Sequence, residues 1–241
     1  MKNILIISVL MAIFLNSCLW TFEKSGIKGS GTVTKEKRAV SPFDKIDITG
    51  AFTVYLSQGE VESVEVELDN NLQQYVEVRN EGNKLILGIK DKINFGKTTK
   101  NNVYITMKNI NLFCVSGVCD INTSGSLNCG DLKLKVSGVA KGGLEVNCDK
   151  LNVNISGVAN LELRGNAVEL NINQSGVGKF NAGKFEAAKV TVNNSGVGSV
   201  SVYATQELSM NNSGVGSITY SGNAEIKKLD SSGIGKIKKE K

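Results

Sequence analysis

The sequence predicts an all-β protein whose main part is a single-stranded β-helix, a β-solenoid with coils of about 19–20 residues. Three observations carry this. Ser-Gly followed by Val or Ile recurs at Ser116, Ser137, Ser156, Ser175, Ser195, Ser213 and Ser232, with gaps of 21, 19, 19, 20, 18 and 19 residues. Between these pairs apolar and polar residues alternate, as in Leu151-Asn152-Val153-Asn154-Ile155, which is the period of a half-buried strand. The chain also holds 26 glycines and one proline, a balance that suits many turns and an uninterrupted hydrogen-bond ladder. Coils this short leave no room for a helix, a strand and their loops.

Taken from its start, the chain opens with Met1-Lys2-Asn3 and an apolar run from Ile4 to Phe14. That run has signal-peptide length and is short for a bilayer span. Leu15-Asn16-Ser17-Cys18 follows and resembles the bacterial lipobox, in which the cysteine is cleaved free and lipidated. The expectation is a lipoprotein signal peptide over residues 1–17, lipidation at Cys18 and a tether over residues 18–28; a plain secretory signal is the alternative. Two acyl chains hold a membrane stably, at about 0.8 kcal/mol per buried methylene. The N-terminus resembles those of bacteria in which an acidic run after the lipidated cysteine often marks export to the cell surface; no such run follows Cys18, so the resemblance implies a slight preference for the periplasmic face of the outer membrane over the cell surface.

Residues 29–110 read as an N-terminal all-β part. Ile46 to Leu56 fits the repeat template with Thr49 in the serine place. Beyond it, Ser63–Leu68, Tyr75–Val78, Lys84–Ile89 and Asn102–Met107 read as strands, with turns at Asn70 and Glu81–Asn83. These are either irregular coils of the same solenoid or a small sheet that caps it.

Residues 111–241 form the repeat array. Three residues before each serine stand Phe113, Leu134, Val153, Ile172, Val192, Met210 and Leu229. Two after it stand Val118, Val139, Val158, Val177, Val197, Val215 and Ile234, and five after it Ile121, Gly142, Leu161, Phe180, Val200, Ile218 and Ile237. Apolar ladders are expected to line the axis. The Ser-Gly pair marks a corner where glycine supplies a positive φ and the hydroxyl meets a freed backbone group. Asn154, Asn173, Asn193 and Asn211 precede the serines by two residues and form an amide ladder. This Ser/Asn stripe is either a corner-stabilising ladder or an outer binding face for a glycan.

Chemistry is narrowed by what is missing. Histidine is absent, which excludes Ser-His-Asp and Cys-His catalysis and imidazole metal sites. Outward carboxylates such as Glu145, Glu162 and Glu169 look scattered, and no phosphate or calcium loop is present. Neither catalytic residues, nor a metal, nor a cofactor is expected. Net charge is +5 with no basic stretch interleaved with aromatics, so no nucleic-acid partner is expected. Cys114, Cys119, Cys129 and Cys148 are free thiols or disulfide partners, with Cys129–Cys148 and Cys114–Cys119 as candidates.

The exported part resembles the putative auto-transporter adhesin, head GIN domain family. The resemblance rests on Gly29-Ser30-Gly31 with Val33, on Ser41-Pro42-Phe43-Asp44-Lys45-Ile46, on Gly50-Ala51-Phe52-Thr53-Val54 with Gly59, and on the repeated Ser-Gly-Val. It implies a solenoid-like β fold and an adhesin role without catalytic residues. The resulting expectation is a non-catalytic cell-envelope lipoprotein that binds a glycan or an envelope protein. A structural or signalling envelope protein is the alternative, and a carbohydrate-active β-helix enzyme stands behind both.

Overall fold

The computed structural model describes residues 26–240. The expected signal peptide, Cys18 and the expected tether as far as residue 25 lie outside the described residues. The described chain is all-β, a single seventeen-stranded sheet wound into a solenoid. The N-terminal strands are β1 (Val33–Arg38), β2 (Lys45–Ile48), β3 (Ala51–Gln58), β4 (Ser63–Asp69), β5 (Val76–Glu81), β6 (Lys84–Ile89) and β7 (Asn101–Met107). The repeat array comprises β8 (Leu112–Val115), β9 (Val118–Thr123), β10 (Leu127–Val136), β11 (Val139–Ile155), β12 (Val158–Gln174) and β13 (Val177–Asn194). It ends with β14 (Val197–Asn212), β15 (Val215–Ser221), β16 (Glu225–Ser231) and β17 (Ile237–Lys239).

Each coil pairs in parallel with the next, one repeat further along the chain. Leu134 lies beside Val153, Val153 beside Ile172, Ile172 beside Val192, and Val192 beside Met210. These residues are buried, as are the leucines and valines two positions earlier. Burying each such side chain contributes roughly 2 kcal/mol, so the apolar ladders hold the stack together.

The Ser-Gly corner works differently from the sequence expectation. Glycines 117, 138, 157, 176, 196, 214 and 233 do not have positive φ. They are needed because the coils stack closely. A Cβ on Gly157 would meet the Gly138 carbonyl at 2.0 Å, and one on Gly196 would meet the Gly176 carbonyl at 2.1 Å. One carbonyl of the coil before accepts two corner N–H groups. For the Ser156 corner these are Ser156 N–H at 2.9 Å and Gly157 N–H at 3.1 Å, both to Val136 O.

The residues two after each serine were expected inside and lie outside. Val118, Val139, Val158, Val177, Val197 and Val215 are 40–51% exposed. Counting from the serine, odd offsets face inward and even offsets face outward, straight through the corner. The glycine occupies an inward place that has no room for a side chain. The valines stack on one another in register along the outer edge, which accounts for their half-burial.

Inside the corner one design gives way to another along the axis. In the earlier coils the residue before the serine is Val115, Val136 or Ile155, and the residue three after it is Cys119, Ala140 or Ala159. Later these become Gln174, Asn194 and Asn212, paired with Gly178, Gly198 and Gly216 at φ 130°, 145° and 143°. Gln174 donates to Gly178 O at 3.3 Å, Asn212 to Gly216 O at 2.9 Å, and Asn194 to Asn212 Oδ1 at 2.9 Å. The later corners are closed by buried amides.

Both readings left open for the N-terminal part are realised. β2 and β3 form a coil beneath β8 and β9, with Thr49 at its corner. The strands β6 and β7 form another coil on the opposite side of β2 and β3, although they come later in the chain. Thr49 N–H donates to Leu87 O at 2.8 Å, as a repeat serine does to the coil before it. Beyond this coil, β4 pairs antiparallel with β7, β1 with β4, and β5 with β6. That antiparallel layer covers edges that would otherwise recruit other strands. At the far end β16 is exposed throughout, and Leu229 at the end of the apolar column is 47% exposed.

Candidate functional site

The repeat serines sit on the outside of their corner, all exposed. Ser116, Ser156 and Ser175 also turn their hydroxyls onto carbonyls of the preceding coil, at 3.3–3.5 Å. Beside them runs the amide stripe. Asn173 donates to Asn154 at 3.3 Å and Asn193 to Asn173 at 3.1 Å. Similar bonds join Asn171 to Asn152, Asn147 to Asn128 and Asn166 to Asn147 in other columns. Amide stacking is thus a general device of this solenoid, and the sequence reading found one of its columns. At the N-terminal end of the stripe a cavity of about 240 Å³ brings together Asp47, Cys114, Ser116, Lys135, Ser137, Asn154 and Ser156. Ser175, Ser195, Ser213 and Ser232 and the asparagines Asn173, Asn193 and Asn211 continue the stripe beyond it.

A larger hollow lies on the next face, past the corner. Its volume is about 420 Å³, and Asn122, Thr123, Leu144, Glu145, Glu162 and Arg164 line it over a floor of Gly142 and Gly143. Gly142 takes φ 107° at a column that elsewhere holds Ile121 and Leu161. Gly143 stands opposite Glu162 and leaves a gap in the outer side-chain layer. The exception at Gly142 in an otherwise apolar column was the signal in the sequence for this hollow. Two of the carboxylates that looked scattered, Glu145 and Glu162, line it together. Glu169 sits apart, held by Asn171 at 2.7 Å and Lys150 at 2.9 Å.

The Glu162 carboxylate in the hollow is paired. Arg164 reaches Glu162 Oε1 with two nitrogens at 3.2 Å, and Lys184 stands 3.5 Å away. The Arg164 hydrogen bond holds the Glu162 carboxyl below the usual range, so it is ionised. A general acid needs the opposite shift. Thr123 Oγ1 accepts the Glu145 N–H at 3.1 Å. An adjoining hollow of about 230 Å³ shares Gly142 and Glu162 and extends to Asn160, Lys179 and Asn181.

Toward the capped end the same face carries an aromatic pair. Tyr55 lies in register beside Asn122, and its ring stacks on Tyr104 with centroids 5.0 Å apart and planes at 15°. The Lys35 ammonium covers Tyr104 at 4.3 Å from its centroid. Glu67 accepts hydrogen bonds from Lys100 at 2.8 Å, Asn102 at 2.9 Å and the Tyr104 hydroxyl at 2.8 Å, which bring its carboxyl down to about 2. The rings are therefore held in place by an ionised network.

Among the described residues the four cysteines are free thiols. Cys114 faces outward in the corner cavity, while Cys119 is buried, and burial pushes its thiol up to about 12. Cys129 and Cys148 are direct neighbours in the β10–β11 register.

A family model described as putative auto-transporter adhesin, head GIN domain, matches residues 42–224. The span includes the three cavities and the aromatic pair. Among solved structures, a putative adhesin from Bacteroides fragilis is similar at 28% identity and TM-score 0.83, over 89% of this chain and 100% of that one. A putative adhesin from Parabacteroides distasonis is similar at 24% identity and TM-score 0.70, over 89% and 100%. Another from Parabacteroides merdae is similar at 22% identity and TM-score 0.67, over 90% and 100%. The latter two bear on the fold alone. No curated protein matches the chain.

Proposed function

The chain belongs to the putative auto-transporter adhesin, head GIN domain family, and from that premise we propose that it is a non-catalytic binding module of the cell envelope that holds a glycan against its outer face. The carrying observation is the hollow over Gly142 and Gly143. Its lining of amide, carboxylate, guanidinium and hydroxyl groups matches the donors and acceptors of sugar hydroxyls. The ring of Tyr55, beside Asn122, offers a flat apolar surface for the face of a sugar ring. The Ser/Asn stripe with its corner cavity is a second polar track for a long saccharide.

A lipid anchor would fit this reading. Ile27 bridges to Phe95 and Gly29 N–H donates to Lys97 O, so the chain enters at the capped end of the solenoid. A lipid on Cys18 would hold that end toward the outer membrane and direct the repeat coils away from it. The module would stand on the periplasmic face or on the cell surface. An envelope protein as ligand, with a structural or signalling role, is favoured by a different feature. The exposed valine column offers an apolar edge for protein contact.

Gly143 allows a direct test, because a Cβ there meets no heavy atom closer than 3.3 Å. Gly143→Trp should fill the hollow while the fold persists. Binding to an array of envelope glycans should fall at least tenfold relative to the unchanged chain. Equal binding by both proteins, or a lack of any glycan bound by the unchanged chain, would sink the glycan reading. Protease treatment of intact cells, with a periplasmic control protein, separates the cell surface from the periplasmic face.

A further inference from the structure

The geometry points to Cys129 and Cys148 as a disulfide site, a covalent staple that closes one complete coil of the solenoid beside the hollow. The two residues are in-register neighbours on adjacent parallel strands. Neighbouring strands lie about 4.8 Å apart, inside the range of roughly 4.4–6.8 Å between Cα atoms that disulfides accept. Their column continues with Ala167 and Ala187, so the sulfurs occupy a place built for small side chains.

The two partners are unequal in a way that gives the reaction a direction. Cys129 is half-buried and Cys148 is buried. As the more exposed of the two, Cys129 attacks first, as the thiolate, on the disulfide of an external thiol–disulfide exchange reagent. One sulfur of the reagent leaves as thiolate and a mixed disulfide forms on Cys129. The Cys148 thiol then gives up its proton to solvent and attacks the Cys129 sulfur, and the second reagent thiolate departs. The protein loses two hydrogens and two electrons, and the reagent disulfide is reduced to two thiols. Neither other cysteine competes. Burial raises the Cys119 thiol to about 12, and burial also raises that of Cys114.

The ring so closed contains Gly130, Gly138, Gly142 and Gly143. Two of these floor the hollow, and Gly142 leaves a core column without a side chain. The staple would restrain a coil that lacks one core side chain and fix the spacing of Glu145 against Arg164, which are opposite in the β11–β12 register.

The test uses the purified exported chain in oxidised glutathione, read by peptide mapping without reductant. A peptide pair joined through Cys129 and Cys148 is expected, with a rise in Tm of roughly 5–10 °C that reductant reverses. Cys129→Ala, a residue the column already accepts, should abolish both the link and the rise. Free thiols at both positions after oxidation, a link through Cys114 instead, or a fall in Tm would overturn the assignment. Oxidation is driven in the tube, so the result does not depend on the envelope reading.

Discussion

The corner at Ser156 and the corner at Ser213 look alike from outside and differ within. Both carry an exposed serine, a glycine beneath the coil before, and a half-exposed valine. Inside the first stand Ile155 and Ala159; inside the second stand Asn212 and Gly216, clasped by a hydrogen bond of 2.9 Å. The outer pattern is fixed by backbone stacking, which leaves glycine no substitute. The inner pattern only has to fill or satisfy the space, so it has two solutions. Each solution changes two residues together. A buried amide needs a carbonyl turned toward it, and the glycine at positive φ supplies one.

If the outer corner is a shared constraint, it should fail equally in both designs. Gly138→Ala and Gly196→Ala each drive a Cβ to within 2.0–2.1 Å of a carbonyl. Each should cost more than about 4 kcal/mol in chemical denaturation, enough to uncoil the array locally. A much milder effect at Gly196 would mean that the amide corners relax where the apolar ones cannot.

If the inner pairs switch as units, they should couple. Gly178→Ala alone should cost about 3 kcal/mol, since its φ is 130° and a Cβ would lie 2.0 Å from Ala159 O. Gln174→Ile alone removes a donor from Gly178 O and also an amide oxygen that has no partner. The double variant extends the apolar design of the Ser156 coil by one coil. Its cost should fall below the sum of the singles by roughly 1–3 kcal/mol in a double-mutant cycle. Strict additivity would show that the two positions are independent.

The smallest contrast is between inner and outer amides. Asn212→Ala strips a buried ladder and should cost about 2–3 kcal/mol. Asn193→Ala breaks an exposed bond of 3.1 Å and should cost less than about 1 kcal/mol. Equal losses by thermal unfolding would assign the outer stripe more structural weight than its exposure implies.

Several of these features were legible before the coils were seen. The serine spacing gave the coil length, and the strands Ser63–Asp69, Lys84–Ile89 and Asn101–Met107 fall where alternation placed them. Thr49 marked the earliest coil in the chain. The inner amide pairs were readable in the same alignment, because Gln174, Asn194 and Asn212 change in step with Gly178, Gly198 and Gly216. The valine column was misplaced because its hydrophobicity outweighed its parity. Within about five residues of the serine, an even offset faces outward, whatever residue type it holds.

By itself the sequence determined which residues stack, because a repeat in register lets each residue type find its own kind one coil away. It could not determine the order of coils at the capped end. Alternation describes the two faces of a strand and is silent on which neighbour its edge meets. The strands β6 and β7 lie after β2 and β3 in the chain, yet before them in the stack. That inversion, the antiparallel layer beyond it and the meeting of Glu145 with Glu162 over Gly142 and Gly143 were decided by tertiary packing. There the free edges and the inner face had to be covered at once.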